Sequence, residues 1–232
     1  MATTAKKRFR PFRLLLQICV GLFVFSIVSV AVHRFVPVPF TFLMFQRAFE
    51  GHGIDHRWVP MEQISDHLKV AVIAAEDAKF CTHKGFDLDA IEKAQKNNAR
   101  GRKVRGGSTI SQQTAKNVFL WPQRSWVRKG VEAYYTGLIE LMWPKERILE
   151  VYLNSVEWGP GIYGAESASR HWFGKSASEL TRSEASRLAA ILPSPLKWKA
   201  ANSGRYVKRR SNAIAANSRA VRNDSLSGCV LN

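Results

Sequence analysis

The sequence predicts a mainly α-helical domain carried behind a single membrane-spanning helix. Three observations point there: a stretch of nineteen uncharged residues near the N-terminus, helix-capping patterns repeated along the rest of the chain, and no run that alternates cleanly over a strand's length. A chain of 232 residues has room for one medium domain and an anchor, not for two enzymatic domains.

Residues 14–32 read LLLQICVGLFVFSIVSVAV. At about 1.5 Å per residue this run nearly spans a hydrocarbon layer of roughly 30 Å. Lys6, Lys7, Arg8, Arg10 and Arg13 precede it with no acid among them, which places residues 1–13 in the cytoplasm and everything after the run across the membrane. A cleaved signal peptide has a shorter apolar stretch that ends in a small-x-small site. This run ends Val30-Ala31-Val32-His33, so an uncleaved anchor is expected. Residues 33–59 form a juxtamembrane segment. Its aromatic part, 35–49, is broken by Pro37 and Pro39; it suits a core segment or the lipid–water interface, and the interface is expected.

The main domain is expected over residues 60–210. Ser65 and Asp66 can cap a helix through Leu68, Val72 and Ala75 to Glu76 and Asp77, and Asp87 a second one that Gly101 ends. Thr109-x-x-Gln112 and Thr181-x-x-Glu184 are capping-box patterns. From Lys145 to Asn154, Ile148, Leu149, Tyr152 and Leu153 share one helical face. Loops rich in glycine are expected at 101–107 and 159–164. Residues 211–232 read as a polar basic tail, its last dozen residues outside the ordered domain. Three cysteines make no disulfide framework: Cys19 lies in the apolar run and Cys229 in the tail, and although a Cys81–Cys229 bridge is conceivable in an oxidising compartment, Cys81 is expected as a small packed thiol.

The charge is unusual. Thirty-five Lys and Arg against eighteen Asp and Glu leave +17, which calls for an anionic partner. Nucleic acid, anionic lipid headgroups and a diphosphate substrate satisfy that requirement equally.

Three stretches carry candidate chemistry. In the first, Glu76-Asp77-Ala78-Lys79-Phe80-Cys81-Thr82-His83, a carboxylate ends an apolar helix. Partial burial would raise its pKa and prepare it for proton transfer, although a helix-end salt bridge uses the same residues. In the second, Gly106-Gly107-Ser108-Thr109 runs into a capped helix N-terminus that favours an anion, with Lys116 about two turns on. The lysine of a Walker A loop is missing, so ATP binding is disfavoured, and plain turn chemistry is the simpler alternative. In the third, Arg124, Arg128 and Glu132 recur every four residues, so on a continuous helix they share a face. That face suits a diphosphate leaving group, or else ordinary i,i+4 ion pairing.

Order and spacing discriminate better than any single stretch. The series ED-x2-F-x2-H-x-G-x-D, GGST-x2-QQ-x2-KN, RK-x2-E, K-x2-ILE-x-YLN with WGPGIYGAESASRHWFGK, and E-A-x2-LAAILPSP runs in that order over about residues 60–210. It resembles the peptidoglycan glycosyltransferases of family 51, and within them the monofunctional biosynthetic branch. The resemblance implies a lysozyme-like fold and polymerisation of lipid II into β-1,4-linked glycan by inverting displacement of undecaprenyl diphosphate, with sensitivity to moenomycin. It implies Glu76 as general base and Glu132 as the residue assisting the leaving group, directly or as a ligand of a divalent cation, Mg2+ or Mn2+. Ser108, Thr109, Gln112, Gln113, Lys116, Arg124 and Arg128 match positions of the donor and diphosphate site. Asp77, His83, Lys145, Glu150 and Asn154 match motif positions of supporting character. No nucleotide or organic cofactor is expected.

The implied partners are lipid II and the growing glycan chain, membrane lipids, and transpeptidase and divisome proteins, with no nucleic acid. The implied location is the bacterial inner membrane, N-terminus cytoplasmic and catalytic domain periplasmic. A glycan hydrolase would also pair carboxylates but needs no cationic diphosphate face. A membrane-tethered nucleic-acid binder would account for the charge and for none of the ordered motifs. Ser194-x-x-Lys197 imitates a transpeptidase motif, but its companion S-D-N and K-T-G sequences are missing.

Overall fold

A computed structural model describes residues 11–99 and 107–231. The basic residues 6–10 and the glycines at 101 and 106 lie outside the described residues. The chain divides into two compact units, residues 1–36 and 37–232. In the first, α1 spans Pro11–His33 and contains the whole of the apolar run, long and apolar enough to cross a membrane.

The second unit is helical around a very small sheet. After α2 (Phe42–Phe49), α3 (Asp66–Glu76), α4 (Leu88–Ala99), α5 (Ile110–Phe119), α6 (Trp126–Met142) and α7 (Lys145–Ser155) follow, then α8 (Ala165–Phe173), α9 (Arg182–Ile191) and α10 (Arg205–Asn223). Three strands, β1 (Asp55–His56), β2 (Glu157–Gly159) and β3 (Ile162–Tyr163), stand in the order β1-β3-β2, the first pair parallel and the second antiparallel. They are too short for alternation to betray them in sequence. At the turn between β2 and β3, Gly161 has φ +71°, and a Cβ there would meet the His52 carbonyl oxygen at 2.2 Å.

Helix starts follow the side chains expected to cap them. Ser65 accepts from the His67 amide at the start of α3, and Asp87 accepts from the Ala90 amide at the start of α4. Thr109 with Gln112 and Thr181 with Glu184 complete reciprocal capping boxes on α5 and α9. Two packed groups result: α3, α9 and α10 enclose one another, and α5 packs on α6 and α7. The core includes Leu68, Val72 and Ile73 of α3, Leu188 and Ile191 of α9, and Ile148, Leu149 and Leu153 of α7.

The C-terminal region departs from the sequence expectation. The boundary placed at 210 falls inside α10, and turns continue from there to residue 230. Val207, Ser211, Ile214, Ser218 and Val221 are buried along one face of α10, a stripe at i, i+4, i+7, i+11 and i+14. Cys81 is not a free packed thiol. It is bonded to Cys229, with Cα atoms 5.6 Å apart across 148 residues of sequence, and the disulfide ties the end of the chain to the loop after α3. Sequence arithmetic allows this pairing without favouring it, and the fold settles it by letting α10 carry the tail back to that loop.

Candidate active site

Glu76 is the last residue of α3. The helix buries its apolar residues and leaves Glu76 at the rim of the core, its side chain 15% exposed. Gln113 of α5 donates from Nε2 to Glu76 Oε2 at 3.0 Å, and Gln113 Oε1 accepts from the Tyr152 hydroxyl at 3.2 Å. Tyr152 is fully buried, which pushes its pKa well above the ordinary value and keeps the hydroxyl a donor. The tyrosine therefore fixes which way the amide points, and the amide addresses Glu76 with its N–H. Arg210 of α10 brings Nη2 to 3.6 Å from Glu76 Oε1. Burial raises the Glu76 pKa; the Gln113 hydrogen bond and the charges of Arg210 and Lys116 oppose that rise without cancelling it.

The neighbouring carboxylate does a different job. Asp77 accepts the Ile110 amide at 3.0 Å, on the first turn of α5, and accepts from His83 Nε2 at 2.9 and 3.0 Å. His83 Nδ1 takes the Gly85 amide at 3.1 Å, so the ring proton belongs on Nε2. The Thr109 hydroxyl donates to the Gly85 carbonyl at 2.6 Å. Gly85 has φ +87°, and a Cβ would stand 2.9 Å from the Thr136 methyl, so the position demands glycine. Asp77, His83, Gly85 and Thr109 thus lock the loop after α3 onto the start of α5. Gln112, buried and closing the cap with Thr109, belongs to that lock.

The third stretch supplies a cationic cluster. Glu132, buried on α6, accepts from Arg128 Nη1 at 2.7 Å with one oxygen and from Lys129 with the other. Lys116, in the last turn of α5, feels Glu132, Arg128, Arg124 and Lys129 together, and its pKa is lowered, chiefly by burial. Arg128 Nε is a buried donor with no hydrogen-bond partner among the described residues. One expectation is corrected here: Arg124 is not on the helix that carries Arg128 and Glu132. Ser125 accepts the Arg128 amide and starts α6 at Trp126, leaving Arg124 exposed in the preceding loop. Lys116 nevertheless senses it, so the three stretches converge.

The remaining candidates are placed as follows. Ser108, half-buried, precedes the α5 cap. Lys145 pairs with Glu140 at 2.7 Å over the Phe80 ring, and Glu150 pairs with Arg147 at 3.0 Å. Asn154 is fully buried; it accepts the Val59 amide at 3.0 Å and donates to the carbonyls of Val59 and Glu150 at 2.9 Å. These contacts join α7 to the segment before α3 and reach no reacting group. Sequence reasoning missed Arg210 and the Tyr152 hydroxyl. Arg210 lies three residues after Val207 and four before Ile214, so a helical reading of 205–223 places it beside the buried stripe.

The residues do not fit a resident divalent cation. Both oxygens of Glu132 are engaged by cations, its further neighbours are cationic, and the described residues hold no group of three His, Cys, Asp or Glu side chains able to bind a metal.

The sequence model of the family described as Transglycosylase matches residues 44–219. Curated proteins that resemble the chain carry the name biosynthetic peptidoglycan transglycosylase. The one from Caulobacter vibrioides is 58% identical over 217 residues, covering 94% of this chain and 95% of its own. The one from Pseudomonas aeruginosa is 54% identical over 206 residues, with 86% and 89% covered. The one from Rhodospirillum centenum is 48% identical over 223 residues, with 96% of both covered.

Proposed function

Since the chain belongs to the transglycosylase family and is a peptidoglycan glycosyltransferase of cell-wall synthesis, we propose that it extends glycan by inverting displacement at lipid II, with Glu76 as the base. The helical, lysozyme-like domain carries both a carboxylate whose pKa burial raises and a cationic cluster around Lys116, which supports this reading. The single observation that carries the reading is Glu76 itself, a carboxylate at the rim of the core that accepts from Gln113 at 3.0 Å, in a chain whose residues 44–219 match the transglycosylase family.

Glu76 takes the proton of the acceptor 4-hydroxyl. That oxygen forms a bond to C1 of the donor sugar as the C1–O bond to the diphosphate breaks, and the electron pair leaves with the diphosphate. A raised pKa makes Glu76 a stronger base than a surface glutamate, while the Gln113 hydrogen bond holds it ionised. Lys116, Arg124 and the unpartnered Nε of Arg128 receive the departing charge. Glu132 holds Arg128 and Lys129 in place rather than acting on the sugar. No step is routed through a metal ion.

On this reading the catalytic domain lies in the periplasm and α1 anchors it in the inner membrane. The Cys81–Cys229 disulfide supports an oxidising compartment, and the basic residues before the apolar run support a cytoplasmic N-terminus. Membrane lipids surround the anchor, and transpeptidase and divisome proteins are proposed as companions.

The test is polymerisation of labelled lipid II by the detergent-solubilised full chain, with and without moenomycin. A moenomycin-sensitive ladder is expected, lowered at least about 100-fold in Glu76→Gln. Wild-type turnover in that variant removes Glu76 from the role of base. Release of sugars from preformed glycan, with no ladder, replaces the polymerase by a hydrolase.

A further inference from the structure

At the other end of α3 from Glu76 lies a second cationic concavity that no step of the proposed reaction uses. His67 sits nine residues before Glu76, about 14 Å along the helix axis. A cavity of about 200 Å³ opens beside it, lined by Arg182 of α9 and by Ser218, Arg219 and Arg222 of α10.

The electrostatics there are lopsided. No carboxylate lines this cavity, and none of the three guanidinium groups has an ion pair among the described residues. The nearest acid on α3, Asp66, is paired with Lys69 at 2.9 Å. Glu62 and Glu179 line the adjoining groove, which shares His67 and Arg222 but is of mixed charge. Burial first, and then the charges of Arg222 and Arg182, disfavour a proton on His67, and Asp66 opposes them. The three arginines are exposed, so solvent screens their mutual repulsion, and an anion entering the hollow meets three guanidinium groups that have no carboxylate partner among the described residues.

We propose that Arg182, Arg219 and Arg222 form a binding site for a phosphate group, separate from the catalytic cluster. Guanidinium forks match tetrahedral oxyanions in a bidentate way, and three of them more than offset the charge of a phosphate dianion. The imidazole of His67 lies within the site as a donor and gains a proton when the anion arrives. Soluble phosphate and the phosphodiester of a lipid headgroup share this chemistry.

The experiment uses the full chain in neutral detergent, titrated with inorganic phosphate or pyrophosphate at constant ionic strength against chloride. The imidazole resonance of His67, assigned by its loss in His67→Gln, is read by NMR, because the catalytic cluster can also bind these anions and its response must be kept apart. A saturable shift of that resonance is expected, with the His67 titration moved to higher pH. Affinity should fall at least tenfold in Arg182→Gln/Arg222→Gln, and again on adding Arg219→Gln. A parallel arm adds short-chain phosphatidylglycerol or phosphatidylcholine to the micelles. A response to phosphatidylglycerol well below the concentration needed for phosphate assigns a headgroup, and a response to soluble phosphate alone assigns the free ion. A His67 signal indifferent to every probe, or equally responsive in the arginine variants, overturns the site. Lipid II polymerisation by the same variants is measured alongside, so that loss of the glycosyltransferase reading and loss of this site are told apart.

Discussion

The Gln113 amide donates to Glu76 Oε2 at 3.0 Å, and Tyr152 holds the other end of that amide at 3.2 Å. The hydrogen bond favours the charged carboxylate, whereas burial favours the neutral one. A base must be ionised, so activity falls as pH drops through the folded pKa of Glu76, which lies above the ordinary 4.5. Gln113→Ala removes a restraint and sends that pKa higher. The acid limb of kcat/KM should therefore move to higher pH in Gln113→Ala. Tyr152→Phe should do the same more weakly by freeing the amide. A pH profile superimposable on wild type would show that Gln113 does not act on the catalytic base.

Lys116 and Arg124 both face the proposed diphosphate but differ in their exposure to solvent. Lys116 is mostly buried, so salt screens its interaction poorly; Arg124 is exposed, so its interaction weakens as salt is added. Lys116→Ala should weaken donor affinity about tenfold or more, close to 1.4 kcal/mol, at low and high salt alike. The deficit of Arg124→Ala should shrink as salt is raised. Donor KM measured at two ionic strengths checks both, and equal salt dependence in the two variants would contradict the burial argument.

The parts of the fold that sequence revealed were those written in local chemistry. The caps at Ser65, Asp87, Thr109 and Thr181 act within three residues of themselves, so their pattern is visible without a fold. Glu76, Lys116 and Glu132 were legible through ordered motifs rather than through any property of each residue alone. The C-terminal helix was not. Its buried stripe alternates Val207, Ile214 and Val221 with Ser211 and Ser218, and two serines dilute the apolar period. Their hydroxyls bond back to the carbonyls of Lys208 and Ile214, so burial leaves them satisfied although the sequence reads polar. Arg210 went unseen for the same reason, since it borders that stripe. Arg124 was misplaced because a four-residue period continues across a cap that only Ser125 reveals.

Asn154 tests whether a motif residue can be purely structural. Its side chain makes three hydrogen bonds in a site with no solvent exposure, and its own carbonyl lies 3.0 Å from His56 Nε2. Asn154→Ala leaves the Val59 amide and carbonyl without those partners, a cost of about 2–3 kcal/mol. For a domain of this size that lowers Tm by roughly 5–10 °C. Thermal unfolding should show the drop, while KM for the donor in the folded protein stays at the wild-type value. A changed KM with unchanged Tm would move Asn154 into the substrate site.

The Cys81–Cys229 bridge gives the stability measurement most able to contradict the structure. It closes a loop across 148 residues and anchors the turns after α10 beside the loop that carries Asp77 and His83. Chain-entropy arguments assign a crosslink over so long a loop about 5 kcal/mol, drawn from the unfolded state rather than from contacts in the folded one, and disulfides typically deliver about 2–4 kcal/mol of it. Reductant, or Cys229→Ser, should therefore lower Tm, and reductant should do nothing further to the variant. The hydrogen bonds and ion pairs of Glu76 and Glu132 among the described residues involve neither cysteine, so polymerisation well below the melting temperature should persist at close to the wild-type rate. Loss of polymerisation with Tm intact would place the bridge within the catalytic machinery. A wild-type Tm indifferent to reductant would mean that the two thiols are not joined in the folded chain.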